Sequence, residues 1–191
     1  MEVPSPEFRH LLKEIGIAVV MPTYNNVKTL ASVITEVLEY CDDVIVVNDG
    51  CTDGTDEVLK SFGNKIRVKT HPINWGKGTA LANGLAYAKE LEFRYAITID
   101  SDGQHYPSDI PVFVEEIQKD PDCLLVGARN LQADGMPGGN TFANKFSNFW
   151  YKLETGVNLS DTQSGYRLYP IQKMDLEKKM YTSGYEFELE A

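Results

Sequence analysis

A chain of 191 residues with 42% hydrophobic content is sized for one compact domain that buries its own core without covalent staples. A formal net charge of -10 opposes capture of a phosphate backbone and argues against a nucleic-acid partner. No cationic leader and no apolar run near 18 residues marks secretion or a membrane span, and three cysteines without Cys-x-x-Cys spacing give neither a disulfide framework nor a structural zinc site. That cysteine usage fits a reducing compartment.

Residues 1 to 14 are polar with two prolines and read as a loose lead-in or a short helix. Ile17-Ala18-Val19-Val20-Met21 is a continuous apolar run stopped by Pro22, as expected of a strand covered on both faces. Asn25 and Asn26 offer N-cap oxygens ahead of Leu30, Val33, Ile34, Val37 and Leu38, whose spacing marks one helical face. A second buried-type strand, Val44 to Val47, ends in Asn48-Asp49-Gly50, and Asp53 or Thr55 is placed to cap a short helix through Leu59. Ile66, Val68 and Thr70 alternate with basic residues as a third strand, and Gly76-Lys77-Gly78 opens a helix with Leu81, Leu85 and Ala88 on one face.

Tyr95 to Ile99 reads as a fourth strand, broken by Asp100-Ser101-Asp102-Gly103, with a helix near Ile110 to Ile117 and a strand near Leu124 to Val126 after it. A Gly-rich turn follows at 135 to 139. Phe142, Phe146, Phe149, Trp150 and Leu153 recur at helical spacing, which fits a helix packed on the core first and a surface meeting a membrane or prenyl chain second. Residues 157 to 171 mix polar turns with short extended pieces, and Tyr185 to Glu190 starts a helix that the chain does not complete, so a C-terminal truncation is expected. The alternation predicts a single α/β domain over 1–191 with a mostly parallel sheet and helices on both faces, its polar punctuation at the C-terminal strand ends where such sheets bind ligands.

The chemistry concentrates in that punctuation. Asp100 and Asp102 end an apolar strand with Gln104 and His105 just beyond. Two carboxylates sharing a cleft need a cation, and Mg²⁺ or Mn²⁺ held by them together with diphosphate oxygens would supply it. Alone, an Asp-x-Asp pair fits a solvated turn equally well, and His105 fits a hydrogen-bonded supporting residue. Asp49 suits either an Asx-turn or an acceptor for a base or ribose. Asn74-Trp75-Gly76-Lys77-Gly78-Thr79 lacks the spacing of a phosphate-binding P-loop, although Lys77 at a helix start can still reach a phosphate. Arg129 and Arg167 are candidate anion clamps or salt-bridge partners, and Asp161 is a candidate base or acceptor-orienting group, with Glu186 and Glu188 behind it. His10, His71 and His105 have no zinc-ligand spacing, and no Gly-x-Ser-x-Gly elbow is present.

In order and spacing these strings resemble the family 2 glycosyltransferases, in the branch of dolichol-phosphate mannosyltransferase and polyprenyl-phosphate glucosyltransferases, over nearly everything from Ile17 to Leu189. Pro22-Thr23-Tyr24-Asn25 matches that family's first nucleotide loop, Val47-Asn48-Asp49-Gly50 with Thr52-Asp53-Gly54-Thr55 its second, and Asn74-Trp75-Gly76-Lys77-Gly78 its Asn-x-Gly-Lys-Gly loop. Asp100-Ser101-Asp102-Gly103-Gln104-His105-Tyr106-Pro107 matches its metal motif. Gly127-Ala128-Arg129 with Gly138-Gly139, and Asp161-Thr162-Gln163-Ser164-Gly165-Tyr166-Arg167, resemble its acceptor segments, although Asn130 to Pro137 is less basic than an acceptor-phosphate loop suggests.

The resemblance implies a nucleotide-diphosphate-sugar transferase (GT-A type) fold and an inverting hexosyl transfer to a polyprenyl phosphate at the cytoplasmic membrane face, with Mg²⁺ or Mn²⁺ and a UDP- or GDP-linked sugar. On the matched motifs, Pro22, Tyr24, Asn25, Asp49, Lys77, Asp100 and Ser101 would serve the donor and Asp100, Asp102 and Gln104 the ion. Asp102, Asp161, Arg129 and Arg167 would serve the reaction and its acceptor. The alternatives are the same donor chemistry with a glycan, glycolipid or protein hydroxyl, and a non-catalytic sugar-nucleotide binding module. The Gln-x-x-Arg-Trp motif of processive synthases is absent from this sequence, which argues against polymerisation, and no early Gly-rich basic loop suggests a nucleotidyltransferase.

Overall fold

The computed structural model of the chain describes residues 4–127 and 165–174. The lead-in is a helix, α1 (Pro6–Ile15), started by Ser5, whose hydroxyl accepts the Phe8 N–H, and stopped by left-handed Gly16 at φ 80°. β1 (Ile17–Thr23) and β2 (Val44–Asp49) are buried at every position, the apolar runs to Pro22 and Val47 as a two-sided strand requires and the polar Thr23, Asn48 and Asp49 at their carboxyl ends as well. Between them α2 (Val27–Tyr40) turns Leu30, Val33, Ile34, Val37 and Tyr40 inward. After β2 come α3 (Thr55–Ser61) and β3 (Arg67–His71), then α4 (Lys77–Glu90), β4 (Tyr95–Thr98), α5 (Ile110–Lys119), β5 (Leu125–Val126) and β6 (Arg167–Tyr169).

The sheet runs β3-β2-β1-β4-β6-β5. β1, β2, β3 and β4 are mutually parallel, while β6 pairs antiparallel with both β4 and β5. The expected mostly parallel α/β sheet is therefore present, with one reversed strand that brings residues 165–169 back beside β4. One face is covered by α1, α2, α3 and α5, where Leu12, Ile34, Leu59 and Val114 join the first core. The other is covered by α4, whose Leu81, Leu85 and Ala88 meet Ala18, Val20, Ile45 and Tyr169. α4 lies close because Gly84 faces the sheet: a methyl there would stand 2.5 Å from Val20 Cγ1 and 2.9 Å from Val47 Cγ2.

Strand order reverses between β1 and β4. β2 and β3 extend the sheet on one side of β1, whereas β4 returns on the other, so the loops after β1 and β4 part around a crevice at their carboxyl ends. One local expectation is corrected. Neither Asn25 nor Asn26 caps α2 with its side chain. The Val27 amide donates instead to Asp53 Oδ2 at 3.0 Å, from the loop after β2. Asp53 also accepts the Thr55 amide and hydroxyl through Oδ1, at 3.2 and 2.7 Å, so one carboxylate anchors the starts of both α2 and α3. The Gly-rich turn at 135–139 and the aromatic stripe from Phe142 to Leu153 lie outside the described residues.

Candidate active site

The crevice opens into a cleft of about 470 Å³ whose lining comes from the segments after β1, β2, β3 and β4: Pro22, Tyr24, Asn26, Asp49, Lys77, Asp100, Ser101 and Asp102 are on its walls. Tyr24 is 48% exposed at its mouth. Asn25 does not line it. The Asn25 backbone takes φ 52°, a turn geometry that asparagine tolerates, and its Oδ1 accepts the Thr52 amide at 2.8 Å. Asn25 therefore ties the loop after β1 to the loop after β2. Cys51 completes that tie, its Sγ accepting the Asn25 amide at 3.2 Å and donating to the Thr23 carbonyl at 3.4 Å, and burial pushes its thiol up from the usual value. Ser101, only 2% exposed, joins the third loop: its hydroxyl donates to Thr23 Oγ1 and accepts the Asn26 side-chain amide at 3.0 Å, and its carbonyl accepts the Thr29 hydroxyl at 2.7 Å.

Asp49 ends β2 and is 2% exposed. Its Oδ1 accepts the Trp75 amide at 2.9 Å and faces His71 Nδ1 at 2.7 Å, while Oδ2 accepts the Gly76 amide at 2.9 Å. The loop from Asn74 to Gly76 is thus folded around this carboxylate. Gly50 allows the approach, with φ 68° and a site where a methyl would stand 2.3 Å from the Ile73 carbonyl carbon. The same loop delivers Lys77, at the first position of α4, whose Nζ lies 2.9 and 3.0 Å from the two oxygens of Asp100.

Asp100 is pinned from three sides. Beyond Lys77, its amide donates to His105 Nδ1 at 3.3 Å, and Gly165 lies against the carboxylate itself: a methyl on Gly165 would stand 2.5 Å from Oδ2 and 2.9 Å from Cγ. His105, 7% exposed, supports the Asp100 backbone and its ring centroid lies 5.2 Å from that of Tyr166. Tyr166 donates to the Tyr106 carbonyl at 3.0 Å, and burial holds its phenol well above the usual range. Asp102 is exposed and its Oδ1 accepts the Gln104 amide at 2.9 Å in an Asx-turn. Arg167 sits on β6 opposite Thr98, 2% exposed and away from the cleft lining. Arg129 and Asp161 lie outside the described residues, as do Glu186 and Glu188.

Among the described residues no group of three or more His, Cys, Asp or Glu side chains could hold a metal alone. Mg²⁺ and Mn²⁺ sites for phosphate esters do not need one, since one or two carboxylates and the ligand's own oxygens complete the shell. Asp100 and Asp102 on one cleft wall match that donor set. His71, Asn83 and Cys51 are structural members of the site that the sequence patterns did not single out, and Asn26, expected only as a helix cap, is another. His71 was traceable: it is the residue after the alternating Ile66, Val68, Thr70, and the parallel register sets it beside Asp49.

Residues 18–174 match the sequence model of the family Glycosyl transferase family 2. The chain belongs to that family. It is a nucleotide-sugar-dependent glycosyltransferase, and its sheet is that of the family's GT-A architecture. Among relatives of family 2, a UDP-N-acetylglucosamine–dolichyl-phosphate N-acetylglucosaminyltransferase of Methanococcus voltae is 30% identical over 80% of this chain and 68% of its own length. A polyprenol monophosphomannose synthase of Mycolicibacterium smegmatis is 26% identical over 90% of this chain and 69% of its own. Among solved structures, glucosyl-3-phosphoglycerate synthase from Mycobacterium tuberculosis, in complex with Mn²⁺, uridine-diphosphate-glucose and phosphoglyceric acid, superposes with a TM-score of 0.73 at 21% identity, covering 99% of this chain and 67% of that one. No helix among the described residues is long and apolar enough to cross a membrane.

Proposed function

We propose that this domain catalyses inverting, metal-dependent transfer of a hexose from a UDP- or GDP-linked donor to a polyprenyl phosphate. The observation that carries the donor half is the convergence of Asp49, Lys77, Asp100 and Asp102 on one cleft at the strand-order reversal. In this reading Pro22, Tyr24 and Asp49 receive the nucleoside, and Ser101 and Asn25 keep their loops in place. Lys77 meets the diphosphate. Asp100 and Asp102, with Gln104, hold Mg²⁺ or Mn²⁺. A divalent ion bound there would take up the charge of the departing nucleoside diphosphate.

An acceptor phosphate is already an anionic nucleophile and needs orienting more than deprotonation, a task for Arg129 and Asp161, while Arg167, buried on β6, would act from behind the cleft wall. The lipid-linked acceptor is supported by the two polyprenyl-type relatives, and it would bring the domain to the cytoplasmic face of a membrane. A water-soluble acceptor has its own support in the phosphoglyceric acid of the structural neighbour.

The test is transfer from labelled UDP-glucose, UDP-N-acetylglucosamine and GDP-mannose, each with Mn²⁺ and with either dolichyl phosphate or 3-phosphoglycerate. Label entering the organic phase, and lost in Asp102→Ala, supports the proposal. Transfer to 3-phosphoglycerate alone replaces the lipid acceptor. The absence of transfer from every donor refutes it.

A further inference from the structure

His71 stands one layer behind the cleft and is absent from its lining. It ends β3 directly opposite Asp49 and is 3% exposed. Its ring is held on three sides. Nδ1 lies 2.7 Å from Asp49 Oδ1, Nε2 lies 3.0 Å from the side-chain nitrogen of Asn83 on α4, and the Trp75 ring stacks on its face with centroids 4.3 Å apart and planes at 29°. An amide nitrogen can only donate, so Nε2 accepts and the ring hydrogen sits on Nδ1, directed at the carboxylate.

Asp49 then receives three donors: the imidazole N–H and the Trp75 amide at Oδ1, and the Gly76 amide at Oδ2. The Asp49 side chain turns about two bonds, and two of its three donors are amides of the loop after β3, so the imidazole is the one fixed partner that lies outside that loop. The imidazole lies against Oδ1 from the end of β3, and the Trp75 ring rests on the same imidazole. Gly76, at φ 90°, is followed at once by Lys77, whose ammonium reaches Asp100. One buried histidine therefore links the end of β2, the Asn74–Gly76 loop, the start of α4 and the carboxylate after β4.

We propose that His71 is a positioning residue of the donor site: it fixes the Asp49 carboxylate and, through the two amides that carboxylate holds, the loop that presents Lys77. This rests on the reading of the cleft as a nucleotide-diphosphate site, but the hydrogen bonds it concerns exist without the nucleotide.

Two variants separate orientation from packing. His71→Asn puts an amide nitrogen near the place of Nδ1 and keeps a donor to Asp49. His71→Gln reaches toward Asn83 and gives up the donor to Asp49. Both lose the stacked ring, so both are expected to lower the melting temperature alike. Two quantities are read on the whole chain: affinity for UDP and GDP with Mn²⁺ by calorimetry, and hydrogen exchange of the Trp75 and Gly76 amides without nucleotide.

The expected result is that His71→Gln weakens binding of the preferred nucleotide roughly tenfold or more and speeds both amides at least tenfold, while His71→Asn stays within about threefold on each. Equal losses in the two variants, tracking their melting temperatures, would reduce His71 to packing and overturn the proposal, as would unchanged exchange in His71→Gln. If the native chain bound neither nucleotide, the donor-site reading would fail, and the role of His71 as positioner of that site would fall with it. The exchange data would still decide whether His71 orders the loop.

Discussion

Gly165→Ala places a single methyl against the Asp100 carboxylate, which we propose holds the ion of the donor site. The added carbon would start 2.5 Å from Asp100 Oδ2 and 2.9 Å from Cγ and Oδ1, whereas nonbonded heavy atoms settle near about 3.5 Å, so one side must retreat by about 1 Å. The Gly165 segment is not free to do so. The Thr98 hydroxyl donates to the Gly165 carbonyl at 2.8 Å, and the Gly127 amide donates to the Tyr166 carbonyl at 2.8 Å. The carboxylate gives way instead, and with it the contacts to Lys77. A displacement of about 1 Å at a reacting centre costs about 10²-fold, or about 2.7 kcal/mol of transition-state stabilisation. The expected outcome is a fall of that order in kcat/KM for the nucleotide sugar, with the melting temperature within a few degrees of native because the strain is relieved at a cleft wall. The assay pairs steady-state transfer with a thermal melt followed by circular dichroism. A variant that melts like the native chain and keeps kcat/KM within about threefold would refute the reasoning.

Lys77→Met removes an ammonium that lies 2.9 and 3.0 Å from the Asp100 oxygens, so Mn²⁺ measured by electron paramagnetic resonance without nucleotide should bind more tightly, while UDP or GDP affinity should fall; weaker Mn²⁺ binding would contradict the ion's place on Asp100. Gly84→Ala drives a methyl into Val20 and Val47, and the overpacking of about 1–3 kcal/mol should exceed the helix-propensity gain of up to about 1 kcal/mol, giving a net loss in urea melts. For Asp53, desolvation pushes the carboxyl up, but bonds from the Thr55 hydroxyl, the Val27 amide and the Thr55 amide outweigh it and hold the group below the usual value. A lowered folded value means that its contribution to stability is fully present above the unfolded value of about 3.9 and is lost as pH falls through the folded one. Asp53→Asn should therefore flatten the acid side of the stability profile below about pH 4.

What could be read from the sequence follows from what each residue's role depends on. Ile17–Met21 and Val44–Val47 announced central strands because a strand buried on both faces must be apolar at every position, and both are. Asp100 and Asp102 stood out because charged residues closing such a run have to be solvated, capped or liganded. The roles of Asn25 and Asn26 were misread for the opposite reason: the donor they were expected to satisfy is taken by Asp53, 26 residues away, and a cap supplied by another loop leaves no local pattern. His71 was invisible to a search for zinc spacing because its partners, Asp49, Asn83 and Trp75, are brought together only by parallel pairing and by α4 crossing the sheet.

β6 was harder still. A three-residue strand has too few positions to show a period, and the direction of its pairing is set by the chain that returns it rather than by its own side chains. Its Arg167, a candidate anion clamp or salt-bridge partner by sequence, is 2% exposed, and no rule of composition buries an arginine in advance. Yet that reversed strand explains Gly165. By running antiparallel beside β4, it sets the start of the Gly165–Tyr166–Arg167 segment against the Asp100 carboxylate at the opposite end of β4 from its entry. A motif that by resemblance belongs to the acceptor thereby touches the acid proposed for the donor side, and glycine is the residue whose absent side chain leaves room for it. Movement of that segment would be felt at Asp100 without any further part in between.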